Sequence, residues 1–161
     1  ILKLSESLST SFPNFDNLTR LEVHDIHHLQ METFLNFLEF SPKLESLIIH
    51  KVEFSGEDND NNTLKLNSVP RCLDGLKSLE IQKFNGTSKE LELVNVVLKH
   101  ARVLQTVTME TSYTLEDHRD PRYKNKNLNA EEVEALNKKI TLQLGMSPWA
   151  SAGCVIKFSS S

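Results

Sequence analysis

The sequence has few of the residues that build cross-linked or catalytic sites. Two cysteines and one tryptophan occur in 161 residues, and Cys72 and Cys154 lie far apart and form no metal-ligand cluster. In a reducing compartment both are expected to be small, buried apolar residues, and nothing in the sequence supports a disulfide between them. No nucleophile elbow or other local nucleophile motif occurs. We therefore predict no catalytic residues, no enzyme activity and no cofactor.

Long apolar runs and a surplus of basic residues are also missing. No apolar run approaches the roughly 18 residues of a transmembrane helix. A net charge of −4 argues against the clustered basic face that nucleic-acid binding needs. The chain opens on Ile1 without a start methionine or a signal-peptide charge pattern, so we expect a piece of a longer, cytoplasmic or nuclear protein. Its length, with 39% hydrophobic and 25% charged residues, is ordinary for one folded domain.

The sequence does contain a repeated strand pattern. Each copy has three large apolar positions with polar residues between them, which is typical of a strand with one buried face. One such strand cannot bury its side chains alone, whereas stacked copies share a core. The copies are spaced by 26, 32 and 28 residues, at or slightly beyond the leucine-rich-repeat range. They are Leu18-x-x-Leu21-x-Val23, Leu44-x-x-Leu47-x-Ile49, Leu76-x-x-Leu79-x-Ile81 and Leu104-x-x-Val107-x-Met109.

Three helical patterns lie between or after the repeats. A first amphipathic stripe ends before Pro42, a Thr87-x-x-Glu90 capping box opens the second helix, and Asn129 opens the third. Helices of this kind return the chain so that successive strands run parallel. The sequence therefore predicts an α/β fold: a short leucine-rich-repeat solenoid of parallel strands with outer helices, closed by a last strand at Cys154–Phe158. The apolar stripes are Met31, Phe34, Leu35 and Leu38; Leu91, Val94, Val97, Leu98 and Ala101; and Val133, Leu136, Ile140 and Leu144.

Two connecting segments are strongly polar. Residues 53–63 are acidic and rich in turn formers, but the glycine and final glutamate of an EF-hand are missing from their places, so a solvated loop is favoured over a calcium site. Residues 112–127 contain four cations among acidic residues. A phosphate-binding patch is the alternative there, and a solvated loop is again favoured.

The C-terminal half resembles a known plant domain. The segment Val69-Pro-Arg-Cys-Leu73 through Leu79-Glu-Ile81, Phe84-x-Gly86, Glu90-Leu-Glu-Leu-Val94 and Met109 resembles the FBD domain, which usually ends F-box/FBD/leucine-rich-repeat proteins. The tail, Met146-Ser-Pro-Trp-Ala-Ser151 followed by Cys154-Val-Ile-Lys-Phe158, is similar to the end of that domain, where an arginine is common in place of Trp149. The resemblance divides the chain into partial leucine-rich repeats at 1–66 and an FBD-like unit at 67–161, continuous with the same solenoid.

The resemblance implies a role in ubiquitination. F-box proteins of this type are substrate-recognition subunits of an SCF ubiquitin ligase, in which the F-box docks the Skp1-like adaptor and cullin. These 161 residues contain no F-box pattern, so this region would instead present a surface to a target protein whose identity is unknown. The alternative is a non-catalytic leucine-rich-repeat scaffold or ligand-sensing module unrelated to ubiquitination.

The repeat register predicts where such a surface lies. Residues beside the buried leucines should line the opposite face of the sheet in three rows, and repeat proteins commonly bind partners on that face. The predicted rows are Arg20, Ser46, Ser78 and Thr106; Glu22, Ile48, Glu80 and Thr108; and His24, His50, Gln82 and Glu110. Ile48 is the one apolar residue in its row, and the alternative is that a crossing loop covers it. Paired histidines on adjacent strands are weak evidence for a metal, so we predict no metal site. The candidate partner-binding residues are Arg20, Glu22, His24, Ile48, His50, Glu80 and Gln82.

Overall fold

Strands and helices alternate along the chain in the computed structural model, which describes residues 14–55, 70–111, 114–115, 126–127 and 129–160. The strands are β1 (Arg20–Leu29), β2 (Ser46–Phe54), β3 (Ser78–Phe84), β4 (Thr106–Thr111), β5 (Thr114–Leu115), β6 (Lys126–Asn127) and β7 (Val155–Ser160). The helices are α1 (Met31–Leu38), α2 (Ser88–His100) and α3 (Ala130–Leu144), and Arg71–Asp74 forms a short 3-10 helix.

One parallel sheet organises the molecule. It contains β1, β2, β3, β4 and β7 side by side in that order, while β5 and β6 form a separate antiparallel pair. Each of the first three strands therefore lies beside the strand of the next repeat, and β7 pairs with β4 as a fifth strand. The predicted α/β class is confirmed, and the sheet with its helices is consistent with a short leucine-rich-repeat-like solenoid and a terminal unit.

The predicted repeat cores are aligned in register. Leu21 pairs with Leu47, and Leu47 in turn pairs with Leu79, so equivalent apolar positions stack from strand to strand. The same alignment continues through Val107 of β4 to Ile156 of β7. These stacked side chains form a single buried cluster with the apolar faces of α1 and α2. Stacking thus buries side chains that one strand alone would leave in water, each worth roughly 1.5–3 kcal/mol when fully buried.

Forked backbone hydrogen bonds fix this register where the strands begin. The carbonyl oxygen of Thr19 accepts from the backbone N–H groups of Glu45 (2.8 Å) and Ser46 (3.0 Å). The carbonyls of Glu45 and Lys77 accept in the same way from the two residues that begin the following rung. Because a parallel ladder satisfies its backbone groups at only one alignment, these repeated hydrogen bonds keep equivalent residues of adjacent strands in register.

The helices follow their predicted faces. In α1, all four residues of the predicted stripe are buried, together with Phe37. Helix α2 carries the predicted capping box: the Glu90 backbone N–H donates to Thr87 Oγ1 (3.3 Å), and the Thr87 N–H donates to Glu90 Oε1 (3.2 Å). In α3, Asn129 caps the first turn, while Ile140 and Leu144 are buried.

Glu90 is unusual because its carboxylate is nearly buried, with 6% of the residue exposed. Its oxygens also accept from the Thr87 hydroxyl (2.9 Å) and the Asn85 backbone N–H (3.3 Å). Burial raises the pKa of Glu90, while the hydrogen bonds from Thr87 and Asn85 oppose that rise. Ionisation of Glu90 at this buried position, where it caps the start of α2, therefore costs free energy.

The C-terminal tail is bound to the helices by specific hydrogen bonds. The Trp149 indole Nε1 donates to the Leu144 carbonyl at the end of α3 (2.9 Å), and the Ala150 N–H donates to the Leu98 carbonyl of α2 (2.9 Å). The Ser151 hydroxyl donates to the Leu104 carbonyl (2.7 Å). Trp149, which stands where the resembling domains commonly have arginine, thus satisfies a carbonyl left open at the helix end.

Three strands share a backbone irregularity that the sequence patterns did not predict. Asp25, Lys51 and Lys83 have positive φ angles of 48°, 54° and 57°. Each lies two residues after the last apolar residue of its repeat core. Each of these residues is an extra one in the alternation of its strand, so it and the residue before it both face away from the core. The next residue, Ile26, Val52 or Phe84, points toward the core again. On β3 the extra residue also interrupts the register with β4, as a β-bulge does. Because β1 and β2 both carry the extra residue, Ile26 still pairs with Val52, and the register of these two strands shifts only between Ile26 and Leu29, where His28 has a positive φ of 58°.

The remaining predictions concern the cysteines, membrane spans, the polar loops and the domain boundary, and some of these lie outside the described residues. Cys72 and Cys154 are buried, unpaired thiols as expected, and burial raises the pKa of Cys72 to about 12. No helix in the described part of the chain is long and apolar enough to span a membrane. The loop alternatives at 53–63 and 112–127 lie mostly outside the described residues, as does the boundary at 66/67.

The left-handed position at Lys83 predicts an unusual response to substitution. Lys83→Gly should stabilise the fold slightly, because the left-handed conformation costs other residues about 1–2 kcal/mol and glycine loses only about 0.5–1 kcal/mol to its greater freedom. Lys83→Val should lower the free energy of unfolding by about 1–2 kcal/mol. Urea unfolding measures both, with Lys157→Val on β7 as the control at a position without positive φ. Equal effects of the two valine substitutions would contradict the bulge.

The Glu90 cap predicts a pH-dependent difference from Glu90→Gln. Because the folded-state pKa is raised above the ordinary value of 4.5, the Glu90 contribution is fully present below pH 4.5 and is lost as pH rises through the raised pKa. Glutamine stays neutral and can still complete a capping box. As pH rises from 4.5 through the raised pKa, the native chain should therefore lose stability and Glu90→Gln should not. The free energy of unfolding of Glu90→Gln should accordingly increase relative to that of the native chain. A difference that is constant with pH, or that changes in the opposite direction, would refute the assignment.

Candidate functional site

The face of the sheet opposite the core carries mostly polar side chains. Side chains alternate along each strand, so residues between the buried apolar positions point to this face. The parallel register aligns the first two predicted rows, Arg20, Ser46, Ser78 and Thr106, and Glu22, Ile48, Glu80 and Thr108, together with His24, His50 and Gln82 of the third. Strand β7 adds Val155 to the first row and Lys157 to the second, which the sequence did not predict.

One predicted row member is displaced. Glu110 was expected beside Gln82, but the register of β3 with β4 shifts between Ile81 and Phe84, where the bulge at Lys83 occurs. Glu110 is paired with Ser159 of β7. The aligned surface therefore extends across all five strands in its first two rows and is interrupted in the third.

Six predicted residues form hydrogen bonds or ring contacts with one another, and we call them the polar network: Arg20, Glu22 and His24 on β1, His50 on β2, and Glu80 and Gln82 on β3. On β1, the Arg20 Nε donates to Glu22 Oε1 (2.9 Å), and His24 Nε2 lies 3.3 Å from Glu22 Oε2. The hydrogen bonds from Arg20 and then His24 hold the pKa of Glu22 below its usual range. This carboxylate thus organises the β1 half of the network.

The other half of the polar network joins β2 to β3. His50 Nδ1 is hydrogen-bonded to Gln82 Oε1, and Gln82 Nε2 donates to Glu80 Oε1 (2.8 Å). The halves meet where the rings of His24 and His50 lie 5.2 Å apart between centroids. Residues from sequence positions 20 to 82 are therefore brought to one surface by the sheet register.

Ile48 lies inside the polar network and contributes little exposed surface. It pairs in register with Glu22 on one side and Glu80 on the other, and only 7% of it is exposed. A buried isoleucine in a central strand supports its neighbours by packing. The polar residues of the network are more accessible than Ile48: Arg20, Glu22 and His24 are exposed, and His50, Glu80 and Gln82 are half-buried.

Further polar pairs continue along the ends of β1 and β2. His27 Nδ1 lies 3.0 Å from Glu53 Oε2, and this hydrogen bond lowers the pKa of Glu53. Lys51 Nζ lies 3.9 Å from Asp25 Oδ1, between two of the bulge residues. These pairs are exposed and of little energetic weight individually, but they extend the polar surface beyond the network.

The histidines of the polar network do not form a cluster of metal ligands in the part of the chain that the structure describes. Among the residues that the structure describes, no group of three or more histidine, cysteine, aspartate or glutamate side chains could hold a metal ion. His24 and His50 face each other as rings, and His50 Nδ1 is occupied by Gln82. The arrangement is a set of side chains joined by hydrogen bonds and one ring contact.

Sequence reasoning identified the network residues but not their connections. The spacing of the repeats predicts that His50 and Gln82 are neighbours, yet no local signal shows that Gln82 links His50 to Glu80. The bond between the Ser78 and Ser46 hydroxyls (3.2 Å) was likewise not predicted. Row membership follows from periodicity, whereas side-chain pairing depends on rotamers that only the folded sheet determines.

The fold is a five-stranded parallel sheet with helices, and comparison with known proteins shows which family part of the chain resembles. Residues 65–109 match the FBD family model. The chain is 37% identical over 98 residues to an FBD-associated F-box protein of Arabidopsis thaliana, which covers 60% of the chain and 20% of the relative. It is 31% identical over 96 residues to an F-box protein of Arabidopsis thaliana, covering 55% of the chain and 21% of that relative. No solved structure matches the chain significantly.

Residues 65–109 therefore match the FBD family, and the chain is similar to two F-box proteins of Arabidopsis thaliana, one of which is named as FBD-associated. The resemblance identified from the residues around Val69–Met109 is confirmed. The chain spans about a fifth of the length of the curated relatives it matches.

The position of Ile48 predicts a structural role that its polar row would not indicate. Ile48→Ala should lower the free energy of unfolding by about 2 kcal/mol or more, since the side chain is buried between two strands. Thr108→Ala, in the same row, is the control and should cost less than about 1 kcal/mol. Chemical denaturation measures both changes. Similar small losses would show that Ile48 is not a packing residue.

Proposed function

We propose that this chain is the target-binding region of an F-box-type substrate-recognition subunit of an SCF ubiquitin ligase. The observation that carries the proposal is the polar network, in which six side chains from three strands form one connected surface. Similarity to F-box proteins supplies the class of complex. An F-box elsewhere in the protein would dock a Skp1-like adaptor and cullin, in the cytoplasm or nucleus.

The network suits recognition because its side chains are ordered before a partner arrives. Binding ordinarily costs about 0.5–1.5 kcal/mol for each rotamer-rich side chain that becomes fixed. Arg20 and Gln82 are already held by Glu22 and Glu80, so less freedom is lost on binding. The sheet ladder beneath them keeps the spacing between strands constant. A preorganised surface of this kind favours one partner over others.

Selectivity would come from the polar character of the surface. A partner that leaves a desolvated hydrogen-bonding group unpaired loses about 1–3 kcal/mol at that group. The network would therefore reject proteins whose groups do not match its donors and acceptors. In this proposal the chain performs no chemistry, and its role is to hold the target near the ubiquitin-transfer machinery.

The test is affinity capture with a full-length protein that contains this chain, quantifying adaptor, cullin and bound target separately. The variants are His24→Ala and Gln82→Leu in the network, with Lys99→Ala on α2 as the exposed control. Adaptor and cullin should be recovered equally with every variant, because the F-box lies elsewhere. Target recovery should fall at least about tenfold with the network variants, as expected for loss of hot-spot contacts.

Two outcomes would contradict the proposal. Failure of the native protein to capture adaptor and cullin would remove the ubiquitin-ligase role. Capture of the same targets in the same amounts by the network variants and the Lys99→Ala control would remove the polar network as the binding surface.

A further inference from the structure

We propose that the β2–β3 half of the polar network recognises its partner through an arginine side chain. This inference rests on the proposed function and names the chemistry of the contact. It follows from the hydrogen-bonding roles that Glu80 imposes on Gln82 and His50. Two acceptor groups result, the Glu80 carboxylate and His50 Nε2, and among the described residues neither lysine nor arginine forms an ion pair with Glu80.

The first step is the orientation of the Gln82 amide. An ionised carboxylate only accepts hydrogen bonds, so the group of Gln82 that lies 2.8 Å from Glu80 Oε1 must be the NH₂. The carbonyl oxygen of Gln82 then necessarily points to His50 Nδ1. Glu80 thus determines which end of the amide meets the histidine.

The second step is the tautomer of His50. Because Gln82 Oε1 can only accept, His50 Nδ1 must carry the proton and donate. In the neutral ring, Nε2 is then left as an acceptor. A residue that is ordinarily ambiguous between donor and acceptor is therefore assigned one role by a carboxylate two hydrogen bonds away.

The third step is the balance of groups left for a partner. Gln82 uses its carbonyl on His50 and one amide hydrogen on Glu80. The acceptors left for a partner are the Glu80 carboxylate and His50 Nε2, and the second amide hydrogen of Gln82 is the one donor left on these three side chains. The half carries one full negative charge, and in the described part of the chain no lysine or arginine forms an ion pair with Glu80. Arg20 lies two strands away and is committed to Glu22.

Arginine is the side chain that matches this arrangement. Its guanidinium is a rigid planar fork of five donors with a permanent positive charge. It can bind a carboxylate and a second acceptor at once, and its plane stacks on aromatic rings such as the His24–His50 pair. Lysine offers a point charge without the planar fork, and an acidic partner would be repelled by Glu80.

The tautomer is tested without any partner. Long-range ¹H–¹⁵N correlation spectra of the chain at about pH 8, where histidine side chains are ordinarily neutral, report which ring nitrogen bears the proton. His50 should be protonated at Nδ1 in the native chain and should lose that preference in Gln82→Leu. Protonation at Nε2 in the native chain would overturn the inference at its second step.

Binding is tested by titrating N-acetyl-arginine amide into the same samples and following backbone resonances of β2 and β3. N-acetyl-citrulline amide, which keeps the shape but lacks the charge, and N-acetyl-glutamate are the comparison probes. Arginine should shift these resonances most, and Glu80→Gln should weaken its binding about threefold, as expected for one exposed ion pair. Glu32→Gln on α1 should leave arginine binding unchanged.

Equal responses to arginine and citrulline, or no effect of Glu80→Gln, would overturn the inference. The proposed function fails separately, through loss of adaptor capture or unchanged target capture in the full-length protein. If the network variants lose the target but the chain shows no preference for arginine, the proposed function stands and only the arginine contact is overturned.

Discussion

The register of the parallel strands, which aligns equivalent residues of the repeats, is the constraint on which the rest of the structure depends. The carbonyl oxygens of Thr19, Glu45 and Lys77 each accept two backbone hydrogen bonds from the rung that follows. A slip of one residue would move every apolar side chain to the polar face. The same alignment that buries Leu47 against its neighbours therefore also places Glu22 and Glu80 on either side of Ile48. Core and candidate site are two faces of one register.

Much of this alignment can be predicted from the sequence because it depends on period and spacing. The leucine pattern identifies the four strands, and the Thr87–Glu90 box identifies the start of α2, since both are local signals with a defined physical cause. The bulges could not be predicted, because Asp25, Lys51 and Lys83 adopt left-handed conformations without glycine. The burial of Ile48 was also not determined by its row, because it depends on how the neighbouring side chains pack.

The C-terminal tail, which lies beyond the FBD-matching residues 65–109, adds the last strand of the sheet. Strand β7 continues the ladder beside β4, while Trp149, Ala150 and Ser151 bind the preceding chain to carbonyls of the helices and of the turn before β4. These contacts lie away from the polar network, which is formed by β1, β2 and β3. The contacts of the C-terminal tail and the proposed recognition surface are therefore formed by different residues, and substitutions can separate them.

Site-directed photocrosslinking in the full-length protein tests most directly whether the polar face contacts the target. The photoreactive residue p-benzoyl-phenylalanine would replace exposed His24 in one sample and exposed Lys99, on α2, in another. The account predicts target adducts from position 24 and none above background from position 99. Adducts formed from position 99 alone would show that the helical side binds the target and would contradict the assignment of the polar network.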